Sequence, residues 1–458
     1  MKLRCKVTSV VVANLLMVAT VAGFCLNVFP PATSTGMALA AAHKPVTIRF
    51  WNWWDASREP LMNEVIRRFQ EKYPWITVKS QVDGWSGRTA KVLAAYAAGA
   101  PADLTMVTRA ELASLADLGA ITPITDWVKR DKLDLTQFFA AEVEAFYWDG
   151  QLWSLPLPTV SGEGSMYYYN KDLFERAGLD PDHPPLTWRA FAETARKLTL
   201  RDDTGRIRQL GMDTFPQLWV HLLYSNGGEL LSSDRRHVQA DTERGREALR
   251  YAVDLTQKLL GGSAAMGQFL AGTTPAIAFA QGRQAIVQGH PSVMAVILQN
   301  APAGFRWGVM PAPYNDQRPE AKSRGIAGFQ WGWGYAIPKG LPPEREEAAW
   351  LFLKFITADE QGAGYFLVKQ GRPASVIRFN LNPEYSKIVG PNWPLIIKYL
   401  GNDVAFPALP VMGDIFNKLV ERSYAPMGGT VEPDNALQGI QTDLQRIVDD
   451  YWAKRNKS

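Results

Sequence analysis

Beyond residue 45 the chain alternates short β-branched and aromatic runs with stretches of helical period. Val46, Thr47, Ile48, Arg49, Phe50 and Trp51 read as a first strand. Residues 59–73 set Leu61, Val65, Ile66 and Phe69 on one stripe, as an amphipathic helix does, and Pro74 stops it. Residues 75–78 read as a second strand, 88–98 as a small-residue helix closed by Gly99, 102–107 as a third strand and 111–118 as a third helix. That β-α-β-α-β order predicts a mostly parallel α/β sheet. Ligands of such sheets gather beyond the carboxyl ends of the strands. Those ends carry Trp53, Trp54, Trp85, Thr108 and Arg109.

The pattern breaks between Ser154 and Phe174. A Pro-broken apolar run enters a Ser-Gly-Glu-Gly turn, then a strand with Tyr167, Tyr168 and Tyr169. Asn170 or Asp172 is placed to cap the helix that follows. This stretch reads as a first crossing between two lobes, with a binding cleft beside it. Further on, helices are predicted over 188–198, 245–260, 274–282, 344–356 and 435–454. Residues 218–224 lead into an Asn226-Gly227-Gly228 turn. Strands are predicted at 285–287 and 307–311, while 289–292 reads as a turn and 325–337 as a Gly- and Trp-rich stretch. No low-complexity segment or long linker isolates a domain.

Composition narrows the class. The 458 residues allow two or three domains, and 47% hydrophobic with 21% charged residues describe a folded globular protein. Lys2, Arg4 and Lys6 precede an apolar run over 7–29, no acid occurs in the first 40 residues, and Ala38-Leu39-Ala40 matches an A-x-A cleavage site. Residues 1–40 are therefore expected to be a cleaved signal peptide, although the run is long enough for a membrane anchor. Both cysteines, Cys5 and Cys25, fall within it, which suits an exported chain without disulfides. Phe24 before Cys25 argues against lipidation. Without the leader's three cations the formal charge drops from +4 to near neutral, so nucleic-acid binding has no electrostatic support.

Candidate chemistry is dominated by aromatics. Several of the 16 tryptophans, including Trp51, Trp53, Trp54, Trp85, Trp331 and Trp333, neighbour Gly, Asn or Pro rather than periodic core positions. Aromatic faces stack on sugars and on cations. No G-x-S-x-G, H-E-x-x-H or Walker loop occurs. The five histidines lack metal-ligand spacing, so no metal and no cofactor is expected. Asp55, Asp103 and Glu163 are carboxylates of the kind a glycosidase pairs, but their separation is not legible from sequence. A non-enzymatic binding role is favoured over a secreted glycan-active enzyme or an anchored adhesion or sensor protein.

Several stretches together resemble the family 1 extracellular solute-binding proteins of ABC importers, the group of the maltose- and glycerol-3-phosphate-binding proteins. They are Ile48-Arg-Phe-Trp-Asn-Trp-Trp, Ala98-Gly-Ala-Pro-Ala-Asp-Leu, Tyr168-Tyr-Asn-Lys-Asp-Leu-Phe, Pro185-Leu-Thr-Trp, Trp331-Gly-Trp-Gly and Ala348-Ala-Trp-Leu-Phe-Leu-Lys-Phe-Ile-Thr. The resemblance implies a two-lobe α/β fold hinged by about three crossings, near 158–162, 311–314 and 371–374. It implies an N-terminal lobe of 41–158 plus 314–371 and a C-terminal lobe of 159–313 plus 372–458. It implies a periplasmic or extracellular monomer that hands its solute to membrane permease subunits. Implied ligand contacts are Trp53, Trp54, Asp55, Trp85, Thr108, Arg109, Glu163 and Tyr167 from one side. Trp219, Asn226, Gly228, His290 and Ser292 come from the other, completed by Trp331, Trp333 and Arg372. Where many relatives carry a Trp after the equivalent of Gly289, this chain has His290-Pro291-Ser292, which implies a more polar wall. The expected ligand is a mono- or oligosaccharide. The alternative is glycerol-3-phosphate or a glycerophosphodiester held by Arg109, Arg372 and His290.

Overall fold

The computed structural model describes residues 43–84, 86–159, 164–322, 324–329 and 332–457. The leader, Trp85, Glu163 and Trp331 lie outside the described residues.

The first half is built on β1 (Val46–Asn52), β2 (Ile76–Val82) and β3 (Leu104–Thr108), parallel to one another with β1 in the middle. Between them run α1 (Glu59–Lys72) and α2 (Arg88–Ala97), followed by α3 (Arg109–Asp117). α1 buries Met62, Val65, Ile66 and Phe69, close to the expected stripe. α3 begins where Thr108 and Glu111 form a reciprocal capping box, so helix follows strand without a loop.

The second sheet holds β4 (Met166–Asn170), the two-residue strand Leu200–Arg201, β5 (Ile207–Met212) and two later strands. α4 (Leu218–Ser225) and α5 (Glu243–Asp254) come next, then β6 (Gln284–Gln288), α6 (Ser292–Asn300) and β7 (Trp307–Pro311). The sheet order is β7-β4-β6-β5, with Leu200–Arg201 at the edge. Of the two proposed caps, Asn170 is used: its Oδ1 accepts from the amides of Asp172 and Leu173.

The chain then returns to the first sheet. β8 (Trp333–Ala336) pairs antiparallel with β3, Trp333 opposite Thr108, and α7 (Pro343–Ala358) packs on β1 and α1. Two long helices, α8 (Met412–Met427) and α9 (Pro433–Arg455), finish the fold. The C-terminal stretch expected in the second lobe alone touches both halves. α9 packs on α5 and also reaches the first half, where Tyr451 Oη donates to Asp117 at 2.8 Å and Arg455 bonds Asp149 at 2.7 Å.

Two local readings change. The 325–337 stretch contains β8, and Gly334 sits inside that strand because a Cβ there would come within 2.9 Å of Phe146 and Ser154. The 289–292 turn opens directly into α6, which buries Met294 and Ile297. Among the described residues no helix is long and apolar enough to cross a membrane, and no group of three or more His, Cys, Asp or Glu is placed to hold a metal ion.

Candidate ligand-binding cleft

The end of β1 delivers the first wall. Trp54 is fixed from both sides: its amide donates to Asn52 Oδ1 at 3.0 Å and its Nε1 to Tyr335 Oη at 3.1 Å. Trp53 and Trp333 share Arg88, whose guanidinium lies 5.8 Å and 4.7 Å from their ring centroids. Arg88 is itself held by Glu111, 3.2 Å away, so a partly buried ion pair braces two rings. Sequence reasoning missed Arg88, whose relation to Trp333 depends on β8 pairing with β3.

The second wall comes from the loop between β6 and α6. His290 Nδ1 accepts from the Ser292 amide at 3.2 Å, and its Nε2 faces the Thr159 carbonyl at 3.2 Å. The first bond leaves Nδ1 without a proton, so Nε2–H donates to Thr159. Burial, helped by the nearby charge of Arg372, pushes His290 down to about 3 and keeps it neutral. Arg372 comes from the loop that follows the short helix Tyr365–Val368.

These walls enclose a cavity of about 230 Å³ lined by Trp53, Trp54, Arg58, Met106, His290, Ser292, Trp333 and Arg372. Six of them were singled out in the sequence. Arg58 and Met106 were not, although Arg58 follows Asp55 by three residues and Met106 lies on β3. Asp55 sits beside the cavity, its carboxylate paired with Arg58. Through His290 and Ser292 the cavity adjoins a hollow of about 540 Å³ that also meets Asp213, Phe215, Gln217, His221 and Gln288. Burial pushes Asp213 up to about 6 and His221 down to about 3. Nothing in the sequence pattern pointed to this second hollow.

Of the other expected contacts among the described residues, Thr108, Arg109, Tyr167, Trp219, Asn226 and Gly228 line neither space. Trp219 is in the core, with Nε1 donating to Ser423 Oγ at 2.9 Å. Tyr167 packs edge-on to Phe191 at 5.4 Å. Asn226 bonds the Arg244 carbonyl and Glu247, and the Gly228 carbonyl accepts from Arg324. Thr108 serves as the α3 cap, and Arg109 bonds the Phe406 carbonyl at 2.6 Å. Their polarity and aromaticity meet the needs of the fold.

A larger groove of about 900 Å³ lies elsewhere, lined by Arg68, Lys72, Asp359, Tyr365, Arg378 and Glu384 among others. Two ion pairs lie within it, Lys72–Asp359 at 2.7 Å and Arg378–Glu360 at 3.1 Å, while Arg68 and Glu384 pair with Glu64 and Lys387 beside it. The smaller cavity has the character of a solute site: aromatic faces with few polar groups, drawn from separate segments.

The sequence matches the family described as bacterial extracellular solute-binding protein over residues 55–363. The chain belongs to that family. Among curated relatives, the sn-glycerol-3-phosphate-binding periplasmic protein UgpB of Escherichia coli is 28% identical over 170 residues, 36% of this chain. The match spans 39% of that relative's length. In structure, the sugar-binding protein MalE from Xanthomonas citri superposes with a TM-score of 0.75 over 90% of this chain and 100% of its own, at 19% identity. The Listeria monocytogenes ABC substrate-binding protein in complex with cycloalternan gives 0.73 over 88% and 99%, at 20% identity. The family's two-lobe fold thus accounts for the two sheets and the repeated passage of the chain between them.

Proposed function

We propose that this protein is the extracytoplasmic solute-binding component of an ABC importer and captures a sugar between its lobes. The observation that carries the reading is the cavity itself. Trp53, Trp54 and Trp333 meet His290 and Ser292 across the gap between the two sheets. Ring faces stack on the C–H faces of a sugar, while Ser292, Arg58 and Arg372 supply hydroxyl partners. The adjoining hollow gives room for a second sugar unit. The sugar- and cycloalternan-binding proteins with this fold support the same solute class.

In this reading residues 1–40 are removed on export, the lobes are 41–158 plus 314–371 and 159–313 plus 372–458, and closure buries the solute before a permease accepts it. The protein acts as a monomer and performs no chemistry on its cargo. A thermal-shift panel of mono- and oligosaccharides tests this. A binder of the folded state raises Tm by mass action, and at least one neutral or substituted sugar is expected to do so. Turnover of a panel member to a new product would contradict the transport reading.

A further inference from the structure

Among the described residues the cavity's charge is one-sided: Arg58 and Arg372 line it, no carboxylate does, and His290 is held neutral. Arg372 is only 8% exposed, and its Nε has no hydrogen-bond partner among the described residues. Trp53 Nε1, in the same cavity, is equally buried and equally without an acceptor. Both are donors that accept nothing. Burial and the charge of Arg58 lower Arg372 to about 10, which leaves it a cation at neutral pH. A buried guanidinium without a counter-charge is costly to keep. Arg58 differs, because Asp55 neutralises it.

We propose that the solute carries an oxyanion, a phosphate or a carboxylate, which seats on Arg372 with Trp53 Nε1 as a second donor. The inference rests on the solute-binding reading and narrows its cargo to an acidic or phosphorylated sugar or polyol. A planar guanidinium offers paired donors to two oxygens of such a group. The polyol part of the solute then lies over the tryptophans and extends past Ser292 toward Asp213. Of the three side chains expected to hold a phosphate, Arg109 bonds Phe406 away from this cavity and His290 is uncharged. Arg372 alone retains that role.

Isothermal titration with matched pairs tests the proposal: glycerol against sn-glycerol-3-phosphate, and glucose against glucose 6-phosphate and against glucuronate, with maltose as a neutral oligosaccharide. The expected result is that the anionic member of at least one pair binds about tenfold or more tightly than its neutral partner, as a charge-assisted hydrogen bond provides. Whether phosphate or carboxylate wins identifies the oxyanion. Arg372→Gln should abolish that preference, and Arg372→Lys should keep part of it. Ligand-free Arg372→Gln should also melt at a higher temperature than the parent, because an uncompensated buried charge is gone. Neutral members binding as tightly as anionic ones would overturn the inference and leave the importer reading intact. A lower Tm for ligand-free Arg372→Gln would make Arg372 a structural residue and overturn it as well. Failure of every compound, maltose included, would count against the solute-binding reading together with the inference.

Discussion

Single residues divide into those that shape the cleft and those that hold the fold, and the division is measurable. Trp54 and Trp333 line the cavity, so Trp54→Ala or Trp333→Ala should cost about 1–3 kcal/mol of ligand affinity, read by titration. Trp219 lies in the core on Ser423, so Trp219→Phe should lower stability by about 1 kcal/mol, read by urea unfolding, with ligand affinity unchanged. His221 makes a third case. It is packed between Phe215 and Phe329, each 5.5 Å away edge-on, and burial depresses it to about 3. Its folded-state value lies below its unfolded one, so its contribution is intact above pH ~6.5 and is lost as pH falls from there toward 3. Asp213 is raised and acts in the opposite sense, losing stability as pH rises through about 6. His221→Gln should therefore flatten the acid side of the Tm–pH curve, and an unchanged acid limb would refute the assignment.

At the scale of elements, strands and helices with clear periodicity were legible, and those defined by tertiary contact were not. The strand 307–311 and the helices near 59–72, 188–197, 343–358 and 433–455 lie close to where their apolar spacing puts them. β8 was hidden because its sequence, Trp-Gly-Tyr-Ala, includes a glycine that strands ordinarily avoid. Its place depends on Phe146 and Ser154, residues far away in sequence. Gly334→Ala should accordingly destabilise the protein by about 1–3 kcal/mol in denaturant unfolding and loosen Trp333. α6 was missed for a related reason: the apolar face of Ser292–Asn300 offers only Met294 and Ile297 to the core. Site residues followed the same rule. Trp53, Trp54 and Trp333 stood out because aromatics beside turn residues are conspicuous. Arg58 and Met106 line the cavity, and Asp213 and His221 the adjoining hollow, through tertiary contacts that no local pattern encodes. Trp219, Tyr167 and Asn226 carry the same residue chemistry yet serve the core.

Over the whole molecule, two sheets are joined by repeated passages of the chain, and α8 and α9 lie across both halves. Tyr451 and Arg455 tie α9 to the first half, while Gln441 Nε2 donates to the Val238 carbonyl in the second at 2.8 Å. In the proposed importer reading, the gap with its tryptophans and Arg372 is the part that closes on a solute. The most direct test is a crystal structure of the protein with the tightest ligand from the sugar panel. The account predicts that ligand between the halves, in contact with Trp54, Trp333 and Ser292, with any acidic group on Arg372. A ligand bound instead in the outer groove of Arg68, Lys72 and Arg378 would contradict it.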